Sequence, residues 1–122
     1  MESQYPELFA EHERADVSCV LLSTMDNGAV FGLQARAHAS TNGYWISYAT
    51  VAADAAAAPS GIAGPDGHWA TRCGPDATSA IATVDIVREH ESLARPWRRT
   101  ARAGTYATAV VDGDPRAERS SL

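Results

Sequence analysis

The chain has 122 residues, one domain or less, which is enough to bury about two thirds of the surface it exposes when unfolded. Its 15 acidic residues outnumber its 10 basic ones, and the formal charge of -5 argues against a general affinity for nucleic acid or an anionic membrane surface. No apolar run approaches the roughly 18 residues needed to cross a bilayer, and the first residues are acidic and polar where a signal peptide is basic and then apolar, so a cytoplasmic protein is expected.

From Pro6 to about Ala15 the residues favour a helix, with proline at the first helical position and Glu7 where the positive end of the helix dipole stabilises it. Leu8, Phe9 and His12 are its expected buried side. Val17 to Ser23 is nearly continuous in apolar residues, the pattern of a central strand covered on both faces in an α/β protein. Thr24-Met25-Asp26-Asn27-Gly28 then carries turn chemistry.

Phe31 to about Thr41 has helical spacing and is rich in alanine, which allows close packing; Leu33, Ala37 and Thr41 share one line, Gln34, His38 and Asn42 another. Asn42-Gly43 should end this helix, glycine being suited to the left-handed cap. Tyr44 to Val51 follows as an aromatic and β-branched strand. Ala52 to Pro59 reads equally as a short helix or a loop.

Ser60 to Ala63 and His68 to Cys73 are short strands about Gly64-Pro65-Asp66-Gly67, with proline at the second turn position and glycine at the fourth, so a hairpin is expected. After Gly74-Pro75-Asp76, Ser79 to Asp85 alternates as another strand. The stretch from Glu89 to Arg102 is charged and interrupted at Pro96, and the remainder has little with which to build a core. These features divide the chain into a domain over residues 1–88 and a charged C-terminal arm over 89–122.

Few residues invite a chemical role on their own. Cys19 lies inside an apolar strand with no base near it in sequence and reads as core; Cys73, at a strand end, reads as an ordinary free thiol. Neither belongs to a CxxC pair, which leaves no disulfide framework or zinc site. The histidines, His12, His38, His68 and His90, have no metal-ligand spacing, and no metal is expected. Arg95-Pro96-Trp97-Arg98-Arg99 is basic around an aromatic, but in an acidic chain without an RNA-binding motif a solvated helix or subunit contact is the simpler reading. All ten basic residues are arginine; lysine is absent.

One pattern is more specific. Met1-Glu2-Ser3-Gln4-Tyr5-Pro6-Glu7 resembles the segment that follows the nucleophilic cysteine of the carbon-nitrogen hydrolases, the nitrilase and amidase superfamily: a variable residue, an acidic residue, three more residues and Pro-Glu. Further segments fall in the family's order: Ala15 to Ser23, Gln34-Ala35-Arg36-Ala37, Asn42 to Ala49, Ser60-Gly61-Ile62 to Pro65-Asp66-Gly67, and Val84-Asp85. Each is weak alone; six in the same order and spacing carry more weight.

The resemblance covers about Met1 to Asp85 and implies the C-terminal half of an α/β fold, a four-layer αββα sandwich. In the family a cysteine attacks a nitrile or amide carbon, a glutamate serves as general base and acid, and a lysine helps hold the developing oxyanion, without metal or organic cofactor. The cysteine would precede Met1, and the glutamate and lysine lie further upstream in relatives, so none of the three is carried over. What is carried over is pocket wall: Met1, next to the nucleophile and its oxyanion hole, Glu2, the acid near it, and Thr24 and Met25, at the strand end that borders the substrate. Relatives pair through the two helices matching Pro6 to Ala15 and Phe31 to Thr41, which implies a homo-oligomer. A noncatalytic subunit or interaction module that pairs with a related chain remains the alternative.

Overall fold

The computed structural model describes residues 2–25, 28–74, 83–85 and 96–97. They form a mixed α/β unit in which two helices cover one face of a four-stranded sheet.

A short turn of helix, Glu2–Gln4, leads into α1, Pro6–Arg14, which starts on the expected proline with Glu7 in its first turn. Residue Asp16 ends it in the left-handed region at φ 58°, with its N–H bonded to the Glu13 carbonyl and that of Val17 to His12 O, both at 3.0 Å. This pair of reversed hydrogen bonds satisfies carbonyls that the helix end would otherwise leave open. The buried side of α1 differs from expectation: Phe9 and Glu13 are buried, whereas His12 is exposed and Leu8 is 45% exposed. Phe9 and Glu13 stand four residues apart on the line that meets α2, and Leu8 falls one position off it.

Strand β1, Cys19–Ser23, pairs in parallel with β2, Trp45–Ala49, through the crossover helix α2, Ala29–Asn42. Every fourth residue of α2 from Phe31 is buried, through Ala35 and Ala39, so the alanines let the helix lie close on Ile46, Tyr48 and Tyr44. The line Leu33, Ala37 and Thr41 faces away and is exposed. Gly43 caps the helix at φ 72°, as its sequence position foretold.

A hydrogen bond and a ring stack tie α1 to this unit. The Tyr44 hydroxyl donates to the Phe9 carbonyl at 3.1 Å inside the core, and the Phe9 ring stacks on His38 of α2 with centroids 3.9 Å apart. His38 Nε2 also lies 3.1 Å from the Ser3 carbonyl, which fixes the Glu2–Gln4 turn to the same helix.

Residues Ala52–Asp54 form a single helical turn within the connection to β3, Gly61–Ala63, which pairs antiparallel with β2. The expected hairpin then closes: Gly67 N–H bonds to the Gly64 carbonyl at 2.9 Å, Asp66 Oδ1 accepts from His68 N–H, and β4, Trp69–Arg72, runs back along β3. The sheet order is β1-β2-β3-β4.

One further expectation changes here. The apolar strand from Val17 to Ser23 is not central: among the described residues β1 is at the sheet edge and only one of its faces is covered. Val20 and Leu22 meet the helices, whereas Leu21, on the other face, is 82% exposed. The expected strand over 79–85 and the arm over 89–122 fall mostly outside the described residues; 83–85 are irregular, and Pro96 and Trp97 are helical with the indole exposed.

Candidate functional site

In an open α/β sheet the carboxyl ends of parallel strands are where ligands gather, because loops leave there and strand-end backbone groups become available. Here those ends are Ser23-Thr24-Met25 of β1 and Ala49-Thr50 of β2. Thr24 N–H donates to the Ala49 carbonyl at 2.8 Å and continues the ladder by one residue. Its hydroxyl stands 3.5 Å from the Tyr48 hydroxyl, which rises from the helix-covered face. Thr50 N–H donates to Ser60 Oγ at 3.0 Å, while the buried Thr50 Oγ1 has no hydrogen-bond partner among the described residues. Thr24, Tyr48, Thr50 and Ser60 therefore gather hydroxyls at one end of the sheet.

Of the four residues expected at the pocket wall, Thr24 is in this group. Met25 follows it and is 88% exposed, a free side chain at the rim. Glu2 is on the turn held against α2 by His38, a different support from that of Thr24. Met1 lies outside the described residues.

Tyr48 and Thr50 Oγ1 are themselves buried, and among the described residues no base stands beside a nucleophile here. Burial pushes the Cys19 thiol above its usual value, and a backbone hydrogen bond at Ser47 offsets part of that effect. A thiol so placed carries less thiolate at neutral pH than a free one, but it is half-buried on the face away from the helices and is not part of the core in which the sequence placed it. Cys73 is half-buried, and its N–H bonds to the Ser60 carbonyl at 2.8 Å. His38 is engaged with Phe9 and Ser3, and the His68 side chain is exposed in the hairpin turn. Among the described residues no cluster of histidine, cysteine, aspartate and glutamate could hold a metal ion.

No family model matches this chain, and no curated protein matches it. The likeness to carbon-nitrogen hydrolases stands on the short segments quoted above.

Tyr48, Thr50 and Ser60 were not singled out from sequence as site residues. Tyr48 reads there as strand core, and the other two sit at turns with nothing in their spacing to link them. A second group, Arg36, Trp69 and Arg72, also escaped notice. In strict alternation Trp69 and Arg72, three residues apart, would point to opposite faces. An irregularity between Ile62 and Ala63 sets Ala63 against Trp69 but Ile62 against Thr71, and this extra residue brings Trp69 and Arg72 to the same side.

Proposed function

We propose that this chain is the C-terminal half of a carbon-nitrogen hydrolase sandwich, acting on amide or nitrile substrates only together with polypeptide that supplies the nucleophilic cysteine, the lysine and the general-base glutamate. The observation that carries the proposal is the one-sided sheet. The run from Val17 to Ser23 has the composition of a strand buried on both faces, yet the helices cover only the face of Val20 and Leu22. The opposite face carries Leu21, 82% exposed, with half-buried Cys19, Ser47, Ile62 and Thr71 beside it. Small and apolar residues of this kind suit the packing of a second sheet about 10 Å away.

In an αββα sandwich the two sheets meet in the middle and the helices lie outside, so the described residues correspond to two of its four layers. Thr24 and Met25 would line the substrate pocket where the halves meet. The outward side of the helices supports pairing between copies through Pro6 to Ala15 and Phe31 to Thr41: Leu8, Val30 and Leu33 are exposed, while Phe31 itself is already taken by the core.

Intact mass of the native protein, read alongside ammonia release from simple amides and nitriles, tests the proposal. A longer species, or a stable partner chain, that carries the three catalytic groups and is active supports it. Ammonia release by the purified 122-residue chain alone overturns it. A 122-residue species that binds a related chain without hydrolysis supports the noncatalytic subunit instead.

A further inference from the structure

Only three arginines fall within the described residues, Arg14, Arg36 and Arg72. Arg14 pairs with Glu11 on its own helix. The other two converge on one pocket of about 160 Å³, between the start of α2, the segment Ala57-Ala58-Pro59 and the outer strand of the hairpin. Its walls include Gly32 and Leu33 of α2 and the Trp69 indole.

The placement of both guanidinium groups is specified by the fold. Arg36 donates through Nε to the Gly67 carbonyl at 2.7 Å, a bond that ties α2 to the hairpin turn and leaves the terminal nitrogens of the fork for another acceptor. Arg72 lies over the Trp69 ring with its guanidinium carbon 5.2 Å from the centroid. Among the described residues no carboxylate pairs with either group. The first turn of α2, which opens on the same pocket at Ala29, has no acidic residue and no side-chain cap. Glycine is needed at position 61 behind this wall, because a Cβ there would stand 2.5 Å from the Thr71 carbonyl and 2.9 Å from the Trp69 ring.

We infer that this pocket binds a small organic carboxylate with a flat apolar body. Two guanidinium groups that no carboxylate among the described residues pairs with match a carboxylate ligand, which accepts their paired N–H groups. The indole and the alanine and proline side chains offer the ligand's body an apolar wall. A cavity near 150 Å³ is about the size that admits one benzene ring. In a chain of net charge -5, two arginines brought to one pocket favour an anionic ligand there. This inference is independent of the hydrolase proposal and stands or falls without it.

Titration of the ¹⁵N-labelled full chain with benzoate, benzamide and inorganic phosphate tests it, with the indole N–H resonance of Trp69, assigned through Trp69→Phe, as the readout. Benzoate is expected to move that resonance to saturation with an affinity on the order of millimolar. Benzamide, the same shape without charge, should bind about tenfold more weakly, and so should benzoate to Arg72→Gln or Arg36→Gln. Gly32→Leu, which fills the pocket from the helix side where a Cβ has ordinary clearance of 3.6 Å to Trp69, should abolish the shift. Equal binding of benzamide, a response to phosphate as strong as to benzoate, shifts confined to the other two tryptophans, or no saturable response would each overturn it.

Discussion

The two faces of the sheet are made from alternate residues of the same strands, yet they have unlike surroundings. Toward the helices, Ile46 and Ala63 are fully buried and Tyr48 nearly so, and their neighbours come from α1, α2 and β1. On the other face, Trp45 is covered, because Gly64 in the hairpin turn lets the backbone approach its ring: a Cβ there would lie 3.2 Å from it. Leu21 has no such cover. Apolar composition alone thus does not measure burial; what counts is whether another layer arrives to exclude water.

The contrast can be broken most directly at Ile46. Ile46→Ala should destabilise the chain by about 2–5 kcal/mol, since it leaves a cavity in the covered face, and denaturant unfolding would read the loss. If the unfolding midpoint does not move, the helix-covered face is not the core. Tyr44→Phe keeps the ring and removes the donor to the Phe9 carbonyl, so a smaller loss of about 1–2 kcal/mol is expected by the same measurement.

Cys19 sharpens the comparison from the less covered side. Its raised thiol value means that the folded chain holds the proton more tightly than the unfolded one does. The stabilisation is complete below the unfolded value and is lost as pH rises through the folded one, so unfolding experiments at increasing alkaline pH should show a decline that Cys19→Ser lacks. Alkylation of Cys19 should also lag behind that of a free thiol at mildly alkaline pH. The smallest effect is expected at Leu21: Leu21→Ala should change the stability of the chain alone by less than about 0.5 kcal/mol. The same substitution should weaken association with a complementary half, measured by co-purification, and unchanged association would remove the open face from the proposed sandwich.

Local chemistry made much of this fold legible. The Pro6 start, the Gly43 cap, the crossover helix and the turn at Gly64 to Gly67 each depend on a residue whose backbone preference acts within a few positions. The position of β1 at the edge among the described residues was not legible, because an apolar run states that two covers suit the strand and not that both are present. The buried side of α1 was misjudged for a related reason: Leu8 and Phe9 are equally apolar neighbours, and only the direction of α2 decides between them. At the candidate site Thr24 was expected only through the resemblance, while Tyr48, Thr50 and Ser60 lie near the same end of the sheet through pairing across it. Arg36 and Arg72 meet across 36 positions of sequence and an irregular ladder, which no periodicity encodes.

The hydroxyl of Tyr44 reaches a helix carbonyl 35 residues earlier, from the point where the chain passes from α2 into β2. Together with the Phe9–His38 stack, that link makes the opening of α1 an event for the middle of the molecule as well. Amide hydrogen exchange along Pro6–Arg14 should therefore keep step with that of Trp45–Ala49, as one cooperative unit, whereas the hairpin β3–β4, which lies at the far end of the sheet, can exchange on its own schedule.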